Sequence, residues 1–85
     1  EILIKRSATK EIEAISRKKD RQRIVRKIQL LAENPRPPGC QKISGRDRYR
    51  IRQGPNRIVD SVEDDRLIVY VIKVGHRSDV YRGRL

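Results

Sequence analysis

The chain has 85 residues, enough for one small core, and without Phe, Trp or Met that core must consist of Ile, Leu and Val. Its 22 Lys and Arg residues against 11 Asp and Glu give a formal net charge of +11, which favours a polyanionic partner. A single cysteine excludes an intramolecular disulfide and indicates a reducing, cytoplasmic compartment, and no apolar stretch is long enough for a signal peptide or a membrane span.

The first part of the chain predicts a strand and a helix. Residues 1–5 contain the β-rich triplet Ile2-Leu3-Ile4, which is too short for a helix and predicts a strand. Ser7 is expected to cap a helix over residues 8–17, because apolar residues recur there at helical spacing. These residues are Ala8, Ile12 and Ile15.

A second helix is predicted from Asp20, its expected N-cap, to the residues before Pro35. Its apolar stripe consists of Ile24, Ile28 and Leu31. The short turn between the two helices predicts an antiparallel pair. The segment PRPPG at 35–39 predicts a rigid connector, because its prolines lack amide donors, and residues 40–43 can add a short extended piece.

Three strands are predicted in the second half of the chain. In the first, Arg48, Arg50 and Arg52 alternate with Tyr49 and Ile51, so the arginines occupy one face. A turn at 54–56 precedes a second strand over 57–63, and the acidic run 63–65 forms the next corner. Residues 67–74 are almost wholly apolar, which is typical of a central strand that is covered on both faces.

The order of these elements, β-α-α-β-β-β, predicts an α+β fold in a single domain over residues 1–85. We expect a two-helix hairpin packed on one face of a four-stranded, mainly antiparallel sheet. The other face of the sheet would then display the arginines.

The arginine-bearing face is the candidate functional site. One cysteine and one histidine provide no zinc spacing, and no glycine-rich phosphate loop occurs, so we expect neither a metal nor another cofactor. Cleavage of RNA by its own 2′-hydroxyl needs cations around the phosphorane and groups that move protons. Arginine serves the first need, and His76, the only histidine, is of the type that serves the second.

Each of these residues also has a purely structural explanation. His76 can be a surface-loop residue, and Tyr81, which can stack on a base, can instead close the core. Arg50 and Arg52 can simply guard a strand edge against pairing.

Three strings resemble the RelE branch of the RelE/ParE toxin superfamily: YRIR at 49–52, RIV at 57–59 and EDDRLIVYVIKVGHRSDVYR at 63–82. The most specific piece is V-G-H-R-x-x-V-Y, and the resemblance extends over nearly the whole chain. It implies a ribosome-dependent endoribonuclease toxin that cuts mRNA in the A site without a metal and so inhibits translation. It also implies an acidic antitoxin, mRNA and the 30S A site with its rRNA as partners, operator DNA only through the antitoxin, and no membrane.

The resemblance implies roles for individual residues as well. Arg57 and Arg77 would bind the scissile phosphate, Tyr81 would orient the 2′-hydroxyl or stack on the nucleotide, and Arg50 and Arg52 would hold the developing charge. With His76, these form the predicted catalytic set. The residues expected to contact the substrate are Arg48, Lys73 and Arg82.

Two departures from the family pattern keep other functions open. Positions 50 and 52 are lysines in some relatives and arginines here, so acid–base work would shift towards His76. Two aromatic positions have become Asn56 and Asp60, and Asp60 is expected on the face of Ile58, where burial penalises a charge. The alternatives are a ParE-like inhibitor of DNA gyrase and a noncatalytic remnant that binds an antitoxin and, through it, operator DNA.

Overall fold

The computed structural model describes residues 1–43 and 48–76 and contains two helices and five strands in those ranges. In chain order they are β1 (Ile2–Ile4), α1 (Arg6–Glu13), α2 (Lys18–Leu31), β2 (Gln41–Lys42), β3 (Arg48–Gln53), β4 (Asn56–Glu63) and β5 (Ile68–His76). The predictions made for Arg77, Tyr81 and Arg82 lie outside the described residues.

The strands form one sheet in the order β1-β5-β4-β3-β2. β1 runs parallel to β5, and the other three pairs are antiparallel. The predicted α+β class and the mainly antiparallel sheet are therefore confirmed. The described sheet has five strands rather than four, because Gln41 and Lys42 pair with Arg50 and Tyr49. The short extended piece predicted at 40–43 is confirmed, but a two-residue strand shows no periodicity from which its pairing can be predicted.

The middle of the sheet is β4, and the prediction that residues 67–74 form the central strand is wrong. β5 lies next to β4, between it and β1. The fully buried residues of β5 are all on its helix side: Val69, Val71 and Val74. On its other side Tyr70 is 39% exposed. A register shift between Val59 and Asp60 of β4 interrupts the pairing of the two strands, and it breaks the apolar alternation that would have revealed the two sides.

Both helices begin earlier than predicted, α1 by two residues and α2 by three, and neither has the expected side-chain cap. α1 starts at Arg6 after Lys5, so Ser7 lies within its first turn, and it ends at Glu13 rather than near residue 17. α2 starts at Lys18, so Asp20 lies in its first turn, where a negative charge favours the helix dipole. Arg21 of α2 donates to the carbonyls of Ile15 and Ser16, which stabilises the turn between the helices.

The core lies between the helices and one face of the sheet. The predicted helical stripes pack with apolar residues of β3, β4 and β5, and all of their members are buried except Ile15, which is partly buried. The buried cluster comprises Ala8, Ile12, Ile24, Ile28, Ile51, Ile58, Val71 and Val74. Within the described ranges, neither helix is long and apolar enough to cross a membrane.

Glu11 of α1 stabilises the part of β5 that extends beyond its pairing with β1. Its Oε1 accepts the Val74 amide at 3.1 Å, and its Oε2 accepts Lys73 Nζ at 3.1 Å. The carboxylate therefore satisfies a backbone donor at the strand edge and pairs with a partly buried ammonium.

We expect Glu11→Ala to lower the free energy of unfolding by about 1–3 kcal/mol, because it leaves both donors without this acceptor. Urea unfolding at neutral pH measures the change. Glu13→Ala, on an exposed carboxylate of the same helix, is the control. Equal midpoints for the two variants would contradict a role of Glu11 at the strand edge.

Candidate active site

The β3–β4 hairpin brings four arginines to the sheet face opposite the helices. Arg48, Arg50 and Arg52 alternate along β3, and Arg57 of β4 is the direct partner of Arg52. These four residues are called the arginine face below. The two-residue loop between the strands contains Gly54 with φ of 59°, a conformation that favours glycine and that tight hairpin turns require.

Neighbouring groups orient two of these guanidinium groups. Arg50 donates from Nε and Nη2 to Gln41 Oε1 at 3.1 and 2.9 Å. Arg52 donates from Nε to the Gly54 carbonyl at 3.1 Å. Arg57 is half-buried, with its Nε shielded from solvent, and Val59 beside it is fully buried. Arg57 therefore has a buried apolar neighbour, which strengthens the electrostatic interactions made at this position.

The structure does not bring His76 onto the same face of the sheet as the arginines. His76 is the direct partner of Asn56, and strand alternation places both on the helix side of the sheet. There His76 lines a groove with Glu11, Ser16 and Asp20 near the turn between the helices. The strand thus separates the only histidine from the arginines.

The residues expected to bind substrate also divide. Arg48, at one end of the arginine face, lines a shallow groove with Lys5, Ser61 and Tyr70. Lys73, which is in register with Val59, instead directs its ammonium to Glu11. Its contacts favour a structural ion pair over the predicted contact with substrate.

Asp60 is a buried carboxylate on the helix side of β4, as the alternation of the strand predicted. It is 3% exposed and lies opposite Tyr49 of β3. Burial raises the pKa of Asp60 from 3.8 to about 7, because the apolar surroundings disfavour its charged form, and the nearby Arg36 charge offsets only part of this effect.

Arg36 attaches the proline-rich connector to the sheet through contacts with two residues. Its guanidinium lies 4.9 Å from the centre of the Tyr49 ring and donates from Nη1 and Nη2 to both carboxylate oxygens of Asp64 at 3.0 Å. These bonds hold the pKa of Asp64 below its usual value. Cys40 lies near this cluster, and burial raises the pKa of its thiol.

Three of these contacts could not be predicted from the sequence. Gln41, Glu11 and Arg36 each act on a residue distant in sequence, so only the strand register and the chain path bring them to Arg50, Lys73 and Asp64. In the part of the chain that the structure describes, no group of three or more His, Cys, Asp or Glu residues could hold a metal ion.

Comparison with known proteins identifies the fold. The sequence profile described as "ParE toxin of type II toxin-antitoxin system, parDE" matches residues 2–81. The isolated E. coli RelE toxin is 28% identical, with a TM-score of 0.76 over 95% of this chain and 89% of that chain. A chain of the intact E. coli RelBE toxin–antitoxin complex is also 28% identical, with a TM-score of 0.75 over 88% and 93% of the two chains.

An archaeal structure agrees with these bacterial ones. A chain of the RelB–RelE antitoxin–toxin complex from Methanococcus jannaschii is 26% identical, with a TM-score of 0.73 over 94% of this chain and 95% of that chain. No curated protein sequence shows significant similarity to the chain. The chain belongs to the ParE toxin family of type II toxin–antitoxin systems, within the RelE/ParE superfamily, and it is a RelE-type toxin in its fold.

Proposed function

We propose that this toxin is a ribosome-dependent, metal-independent endoribonuclease that cleaves mRNA in the ribosomal A site and so inhibits translation. The observation that carries the proposal is the arginine face, where Arg50, Arg52 and Arg57 lie on adjacent positions of one hairpin. An RNA phosphate at this face would meet several guanidinium groups at once, as planar bidentate recognition of phosphate requires.

The arginines would act by charge. Attack of the 2′-hydroxyl on the adjacent phosphorus builds negative charge on the phosphorane oxygens, and fixed cations stabilise that state more than the ground state. Arg57 is well placed to do so, because its Nε is shielded from solvent beside the fully buried Val59 and its charge is less screened there than in water. By resemblance, Arg77 would join it at the phosphate and Tyr81 would orient the 2′-hydroxyl.

Proton transfer requires a different type of group. Arginine stays protonated at neutral pH and is a poor general base. His76 lies on the other side of β5, so it would reach the reacting atoms only from beyond the end of that strand. In this proposal the arginine face supplies charge stabilisation, Tyr81 or His76 transfers the protons, and Arg77 assists at the phosphate and the leaving oxygen.

The proposed regulator is an acidic antitoxin. The formal charge of +11 favours an acidic partner, and the E. coli and M. jannaschii RelE relatives occur in complexes with RelB antitoxins. Contact with operator DNA would then be made through the antitoxin, and contact with mRNA and rRNA at the 30S A site would be made by the toxin itself.

Inhibition of DNA gyrase is the second candidate function. The profile that matches residues 2–81 is that of ParE toxins, and the position of His76 away from the arginines weakens the catalytic set. A gyrase inhibitor does not need the arginine face to be intact, which separates the two candidates experimentally.

The deciding experiment is primer extension on an mRNA held on purified ribosomes, with free RNA in parallel. We expect cuts within the A-site codon that require both the ribosome and the protein. Relaxation and supercoiling assays with gyrase run beside it. An intact message together with inhibited gyrase would overturn the endoribonuclease proposal.

A further inference from the structure

The smallest strand of the sheet carries a direct contact to the arginine face. β2 consists of Gln41 and Lys42 and pairs with β3 only at Arg50 and Tyr49. Because directly paired residues share a face, Gln41 lies beside Arg50 and Lys42 lies on the opposite side. Both hydrogen bonds between the side chains end on one atom, Gln41 Oε1, at 3.1 Å from Nε and 2.9 Å from Nη2.

Arg50 is the arginine of β3 that has a like charge on both sides. It lies between Arg48 and Arg52, each about 7 Å away along the same face of β3. Like charges at this spacing push the guanidinium groups apart, and a long side chain loses considerable entropy when it is held in one rotamer. Two bonds to one acceptor fix the plane and direction of the Arg50 guanidinium before any substrate arrives.

The chemical type of the acceptor matters as well. An amide oxygen accepts two hydrogen bonds and carries no net charge, so Arg50 keeps its full charge for a phosphate. A carboxylate at position 41 would hold the same donors but would neutralise the guanidinium and compete with an anionic substrate. Glutamine orients the arginine without cancelling its charge.

We propose that Gln41 is a positioning residue that holds Arg50 in the orientation required for phosphate stabilisation during cleavage. The inference rests on the proposed endoribonuclease function. It assigns β2, a two-residue strand that adds little to the core, the task of supporting the arginine face.

The test compares Gln41→Ala, Gln41→Glu, Arg50→Ala and the double variant Gln41→Ala/Arg50→Ala in single-turnover cleavage on programmed ribosomes. We expect Gln41→Ala to lower the cleavage rate at saturating protein by roughly three- to ten-fold, with little change in half-saturating concentration. Gln41→Glu should be slower still, although its side chain bonds Arg50. Lys42→Ala, in the same strand but on the opposite face, is the matched control and should keep the wild-type rate.

The double variant separates positioning from general support of the fold. Positioning predicts that Gln41→Ala has no further effect once Arg50 is alanine, whereas a structural role predicts the same additional loss in both backgrounds. An equal additional loss, or Gln41→Ala with the wild-type rate while Arg50→Ala is slow, would overturn the inference.

A second measurement is independent of activity. The Nε–H signal of Arg50 in a 15N-labelled protein should be protected from exchange in the wild type and in Lys42→Ala, and unprotected in Gln41→Ala. If the wild type cuts no message, the proposed function fails, and this signal still decides whether Gln41 orients Arg50. An unchanged signal in Gln41→Ala would refute the inference whatever the activity.

Discussion

Arg57→Ala is expected to slow mRNA cleavage on programmed ribosomes by about 100- to 1,000-fold, the usual effect of removing one preorganised contact to developing charge. Arg57 is the direct partner of Arg52 and is half-buried over Val59. Its charge therefore acts in a medium of lower dielectric than that of an exposed arginine. The loss should fall on the single-turnover rate rather than on the half-saturating concentration, because charge on the phosphorane is largest in the transition state.

Two further variants make this result specific. Arg23→Ala removes the same charge from α2, where the side chain is 65% exposed, and should retain nearly all activity. Arg57→Lys keeps the charge but not the planar fork, so it should recover only part of the rate. A loss in Arg23→Ala equal to that in Arg57→Ala would mean that net charge, rather than the arginine face, governs cleavage.

The alternation of Tyr49 to Arg52 was sufficient to predict the arginine face. A period of two assigns each side chain to a face whatever the strand pairs with, and Tyr49 and Ile51 identify the core side. The same rule placed Asp60 with Ile58, and the structure buries both. Local pattern is informative wherever one side of a strand is clearly apolar.

The position of His76 could not be predicted in the same way. When a strand is predicted to be buried on both faces, its sequence does not indicate the face on which its last residue lies. The register shift between Val59 and Asp60 removes the remaining alternation in β5. The pairing of His76 with Asn56 and the burial of Val74, two residues earlier, show that His76 lies on the helix side. The contact of Gln41 with Arg50 could not be predicted for a related reason, because the partner of Gln41 depends on the register of a two-residue strand.

Asp60→Asn is expected to raise the free energy of unfolding by about 2–4 kcal/mol at about pH 8, because wild-type folding then buries an ionised carboxylate. Asparagine has nearly the same shape and avoids the cost of burying a charge at a side chain only 3% exposed. The advantage depends on pH. The pKa of Asp60 rises from 3.8 to about 7 on folding. Below about pH 4 the carboxyl is protonated in both states, so the wild type buries no charge and its stability is fully present.

The wild-type protein loses this contribution to its free energy of unfolding as the pH rises through about 7. In the unfolded chain Asp60 ionises at lower pH than in the folded chain, where the ionised carboxylate is buried unfavourably. Urea unfolding of wild type and Asp60→Asn at intervals from about pH 4 to pH 8 measures this loss, and the two stabilities should converge at the acid end. Asp64→Asn is the matched control. Its exposed carboxylate is held by Arg36, which lowers the pKa of Asp64, so this variant gains no stability at pH 8. A gap between Asp60→Asn and wild type that stays constant across the range would show that Asp60 does not change its charge state on folding, and that its burial in β4 is compensated by its neighbours.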